Sequence, residues 1–127
     1  MDQRAIENEI RGKAKQWIDD YGEDFLVELI GDYVEDSTAR VAHLAQAAAA
    51  GDAAALTLEA HTLKSSSASL GAETLSALAK RLEELGRAGD LAALAVEVAQ
   101  FVEQFGVVKT SLEKLRSDPN GFITEAR

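Results

Sequence analysis

Cysteine is absent from the 127-residue chain, which excludes a disulfide frame, a thiol nucleophile and a thiolate metal site. There is one proline, and aromatic residues reach only 6%. A sandwich or barrel of strands needs many turns and many β-branched or aromatic residues, so an all-β fold is excluded too. Basic residues are scarce as well: 13 stand against 22 acidic ones, a formal charge of -9. So acidic a surface repels phosphate backbones and anionic membranes, which argues against nucleic acid and membrane as partners. No apolar run of about 18 residues occurs, and the first residues carry no apolar signal core. The expectation is a cytoplasmic protein, neither secreted nor spanning.

The remaining composition is helical. Apolar residues make up 46% of the chain and are chiefly alanine and leucine, both strong helix formers. Two Gly-Asp pairs, Gly51-Asp52 and Gly89-Asp90, each read as a helix-ending glycine followed by an N-capping aspartate. A third break falls at Gly71. These breaks divide residues 22–116 into four helical segments, and connections so short force antiparallel neighbours.

Apolar spacing supports the same division. The stripes are Leu26/Ile30/Tyr33/Val41/Leu44/Ala48, Leu56/Ala60/Leu63/Ser67/Leu70, Leu75/Leu78/Leu82/Leu85, and Leu91/Leu94/Val98/Phe101/Phe105/Val108/Leu112/Leu115. Ile6, Ile10, Ala14 and Trp17 form a weaker stripe. The predicted fold is all-α: an antiparallel up-down four-helix bundle over 22–116, with an additional N-terminal helix in 1–21. Residues 117–127, holding Pro119 and Asn120-Gly121, are expected to form a non-helical tail.

Chemistry has few candidates. His43 sits off its stripe and reads as a solvated surface histidine. The two histidines are too far apart in sequence to form a local metal pair, and no carboxylate spacing suggests a metal site. His61 points about 150° away from its own stripe, towards solvent. Lys64, Ser65 and Ala68 share its side of the helix. An exposed imidazole among small residues can be approached closely by another protein. The neighbouring ammonium would stabilise a negatively charged adduct on the ring, so the pair suits a nitrogen that accepts a phosphoryl group.

The hairpin about Gly71 supplies a companion. His61 lies about 15 Å from the turn on one arm and Glu83 about 18 Å on the other, nearly level. A carboxylate there could accept Nδ1–H and leave Nε2 as the nucleophile. A solvated glutamate in a Glu-Glu pair fits the same spacing, and both readings stay open on geometry alone.

The segment Ala60-His61-Thr62-Leu63-Lys64-Ser65-Ser66-Ser67-Ala68-Ser69-Leu70-Gly71-Ala72 resembles the signature of histidine phosphotransfer domains, approximately A-H-x-L-K-G-S-S-x-x-L-G-A. The resemblance extends over about residues 22–116, through Phe25-Leu26-Val27-Glu28-Leu29-Ile30, Gly51-Asp52, Leu82-Glu83 and Gly89-Asp90. It implies that His61 is the phosphorylated histidine and that Lys64 neutralises the phosphoryl group. Glu83 matches a position that holds Gln or Glu beside the imidazole. Ser65 departs from the family, which usually has glycine there to clear space for an incoming receiver domain. Partners implied are a response-regulator receiver domain and a histidine kinase or hybrid kinase. No cofactor is implied, because Mg²⁺ and the acid/base groups would belong to the receiver's aspartate pocket.

The expected function is therefore a monomeric phosphocarrier, without catalysis of its own, relaying a phosphoryl group through His61. Leu58, exposed by the same helical count, joins Ser65 and Ala68 as the expected receiver docking face. The alternative is an adaptor bundle that binds a kinase or receiver without being phosphorylated, and Ser65 is the feature that favours it. A small-molecule sensor would need polar groups aimed into the core, and only Ser67 qualifies. An autonomous enzyme would need an oriented base, nucleophile or metal, and none is present.

Overall fold

Each long apolar stripe becomes one helix because a 3.6-residue period buries one face and leaves the other to charged side chains. A computed structural model describes residues 2–125; Met1 of the accessory segment and Ala126 and Arg127 of the expected tail lie outside it. The order is α1 (Gln3–Tyr21), α2 (Glu23–Ala50), α3 (Ala53–Ser69), α4 (Glu73–Ala88), α5 (Leu91–Ser117) and α6 (Pro119–Thr124). Around the bundle α2 packs on α3, α3 on α4, α4 on α5, and α5 back on α2.

The stops are those the sequence signals. Gly51 and Gly89 adopt left-handed φ values of 69° and 70°, where a Cβ would be strained. Asp52 and Asp90 then accept hydrogen bonds from the backbone N–H groups of Ala55 and Ala93. Leu26, Ile30, Leu44, Leu56, Leu63, Leu75, Leu82, Phe101 and Leu112 are fully buried, each stabilising the fold by roughly 1.5–3 kcal/mol. Leu91 is the exception in its stripe at 50% exposure; it is the first residue of α5 and lies at the edge of the bundle, beside Gly51 at the end of α2. By length and composition α5 could cross a membrane, yet its apolar stripe from Leu94 to Leu115 lines the core.

The accessory helix is fastened across one end of the bundle. α1 contacts α2, α5 and α6, and Trp17 Nε1 donates to the carbonyl of Ser69 at 2.8 Å. A Cβ on Gly71 would stand 2.7 Å from Lys13 Cβ and 3.1 Å from the carbonyl of Glu9, so glycine lets α1 lie on the α3–α4 turn. The start of α4 has no capping side chain of its own. Glu9 of α1 supplies one, accepting from the backbone N–H of Thr74 at 3.2 Å. Glu7, buried on the same helix, takes Lys114 of α5 at 3.2 Å.

The expected non-helical tail is corrected. Asp118 caps α6 by accepting from the N–H of Gly121, and Pro119 occupies the first turn, where its missing N–H costs no bond. Phe122 is buried beneath this turn, under the guanidinium of Arg11. Tail and accessory helix therefore form one packed cap.

Candidate functional site

α3 carries its core stripe inward and turns His61 outward, with 59% of the side chain exposed. Opposite it, α4 must come close. Gly86 allows this: a Cβ there would meet Thr57 Oγ1 of α3 at 2.1 Å. One turn earlier on α4 stands Glu83, whose side chain is 2% exposed. The hydroxyl of Ser76 ties the two helices again by donating to the carbonyl of Lys64 at 2.8 Å.

Both oxygens of Glu83 are occupied. Oε2 lies 2.5 Å from Nδ1 of His61 and 3.0 Å from Nη2 of Arg87, while Oε1 accepts from Lys64 Nζ at 2.8 Å. Lys64 foremost, with His61 and Arg87, holds the Glu83 carboxyl below the ordinary value of 4.5 against the opposing effect of burial. A group kept ionised in this way accepts a proton donor at neutral pH. With Nδ1–H donated to it, the imidazole keeps its lone pair on Nε2, at the exposed edge of the ring.

The expected residues come together unevenly. His61, Lys64 and Glu83 form one cluster, and of the two readings of Glu83 the solvated one is excluded by its burial. Leu58 is 67% exposed, Ser65 is exposed and Ala68 is half-buried, all on the outer side of α3. His43 is exposed on α2. The sequence reading missed Arg87, although its i,i+4 spacing from Glu83 is a signal for an ion pair.

Ser67, the polar residue on the core stripe, bonds the buried hydroxyl of Tyr33 at 2.9 Å. Burial pushes the pKa of that hydroxyl up, opposed chiefly by its bond to Ser67. Among the described residues no cluster of His, Cys, Asp or Glu could hold a metal ion.

The model of the Hpt domain matches residues 28–118. Among solved structures the chain is similar to histidine-containing phosphotransfer protein B from Pseudomonas aeruginosa PAO1. The TM-score is 0.77 and the identity 30%, over 83% of this chain and 90% of that one. No curated protein matches.

Proposed function

Because the chain belongs to the histidine phosphotransfer domain family, whose members serve phosphorelays as phosphocarriers, we propose that its phosphoryl group travels on Nε2 of His61. Kinases and receiver domains are the partners of this family. In the forward step the Nε2 lone pair attacks the phosphorus of a receiver's aspartyl phosphate. The N–P bond forms as the acyl P–O bond breaks, and the aspartate leaves as carboxylate. The proton stays on Nδ1, hydrogen-bonded to Glu83, and the Nε2 lone pair is already free, so no separate base is required. The next receiver reverses the step.

What supports this reading above all is the pairing of an exposed imidazole with a buried, ionised Glu83 at 2.5 Å. Lys64 and Arg87 give the cluster a net positive charge before the phosphoryl arrives, which favours binding of a dianionic group. Leu58, Ser65 and Ala68 form the surface the receiver covers. Ser65 is small and exposed, so it leaves room for the approach. The chain acts as a monomer in the cytoplasm, without catalytic activity, cofactor, nucleic acid or membrane of its own. Its charge of -9 supports the last two.

Incubation with a phosphorylated receiver is expected to leave an acid-labile, alkali-stable phosphate on the protein. His61→Gln should lose the label entirely and His43→Gln should keep it. Label retained by His61→Gln would overturn the proposal, and with no label on the wild type the adaptor reading would replace it.

A further inference from the structure

The charged cluster holds one cation more than the transfer step uses. Glu83 lies between α3 and α4 with 2% of its side chain exposed, and it carries two cations as well as the imidazole. A buried carboxylate is costly unless charges and hydrogen bonds compensate it, and removing one partner leaves it uncompensated. Lys64 Nζ sits on Oε1 at 2.8 Å. It is Nδ1 that faces Glu83, and the imidazole ring separates Nε2 from the carboxylate. To meet a phosphoryl group on Nε2, Lys64 therefore has to draw away from Oε1.

The two cations are tied differently. Lys64 belongs to α3, and its bond to Glu83 crosses from one helix to the other. Its flexible stem and compact ammonium can be aimed elsewhere. Arg87 stands one turn beyond Glu83 on the same helix, and its Nη2 donates to Oε2 at 3.0 Å. Whatever shifts between α3 and α4, this pair shifts as a unit. The guanidinium presents five donors in a planar fork, so it can serve the second oxygen as well when the ammonium leaves. Once Lys64 has gone, His61 and Arg87 are what remains to keep the carboxyl ionised against burial.

We propose that Arg87 is a positioning residue for the transfer: it stays on Glu83 as the resident counter-ion and so frees Lys64 to move from Oε1 to the phosphoryl group on His61. The inference rests on the phosphocarrier reading of His61 and gives the two cations separate duties. The covalent step is unchanged. The N–P bond forms, the donor's own bond to phosphorus breaks, and the proton stays on Nδ1. Only the hydrogen bond of Lys64 is exchanged.

A double-mutant cycle between Arg87 and Glu83 tests it, with phosphoramidate as donor. This small donor docks no protein, so a receiver contact made by the exposed Arg87 does not enter the rate. Arg87→Ala should slow the labelling of His61 about threefold while Glu83 is in place, a coupling usual within one charged network. In the Glu83→Gln background no carboxylate charge holds Lys64 back, and most of that loss should vanish. An equal loss in both backgrounds would mean that Arg87 acts only through its own charge on the phosphoryl group, and would overturn the proposal. No loss in either background would overturn it too. Nitrogen NMR of the wild type gives a second reading that needs no variant to fold. Labelling should part the Lys64 ammonium from Glu83 while the Arg87 guanidinium stays bonded to it. Lys64 still bonded to Glu83 in the labelled protein, or Arg87 released, would contradict the proposal. Failure of phosphoramidate to label the wild type at His61 would instead remove the phosphocarrier reading, and this division of duties with it.

Discussion

At the scale of single residues the site is organised by one buried carboxylate. Glu83 orients the imidazole and at the same time stores two cations beside it. These cations are not equivalent, because the Lys64 side chain is 32% exposed and that of Arg87 65%. A unit charge about 4 Å from a phosphoryl group is worth roughly 1 kcal/mol in water and roughly 4 kcal/mol at an effective dielectric of 20. Each ~1.4 kcal/mol in a barrier is tenfold in rate. Lys64→Ala should therefore slow transfer or shorten the phosphohistidine lifetime by about tenfold. Arg87→Ala, whose charge is better screened by solvent, should cost about threefold. Transfer kinetics and label decay on both variants decide the point, and an unchanged Lys64→Ala would take that residue out of the site.

Counting residues brought His61, Lys64 and Glu83 near one another, because it sets helical phase and hairpin register, but it left Glu83 open between two readings. The roles came from the likeness of residues 60–72 to the family signature. Arg87 shows the limit of that counting. Its spacing from Glu83 was visible, but not that Glu83 would be buried and so hold a partner firmly.

At the scale of elements the site depends on how near α4 comes to α3. Gly86 is a helix-interior glycine, which costs the isolated helix about 1 kcal/mol relative to alanine. Packing reverses the sign here, since the Cβ would strike Thr57 Oγ1 and a β-branched side chain has little freedom to turn aside. Gly86→Ala should destabilise the bundle by about 1–3 kcal/mol, the usual penalty for overpacking. Adding Thr57→Ala should recover most of the loss. Urea unfolding of the single and double variants measures both. A stabilised Gly86→Ala would mean that helix propensity, not close packing, governs this contact.

The long helices and their stops were legible because repeated stripes and Gly-Asp pairs are local signals. α6 was not, being six residues long and too short to show a period, even though Asp118-Pro119 is a helix-start signature. Nor could the sequence tell that Glu9 caps α4 or that Glu7 pairs with Lys114. Those contacts join residues 65 and 107 positions apart, a separation no local pattern encodes.

At the scale of the whole molecule, the fold separates duties. One end of the bundle is closed by α1, α6 and the Gly71 turn, and the middle of α3 and α4 carries the charged cluster. Above the core, the exposed sides of α2 and α3 remain for a partner. On the proposed reading the fold holds one nitrogen ready, and the domain that docks supplies the rest. The deciding question is which nitrogen of which histidine is modified. Nitrogen NMR of the phosphorylated protein, with the modified peptide identified by mass spectrometry, answers this directly. The expected result is a phosphoryl group on Nε2 of His61, with the Nδ1 proton retained and bonded to Glu83. Phosphorylation at Nδ1, or at any residue other than His61, would contradict it.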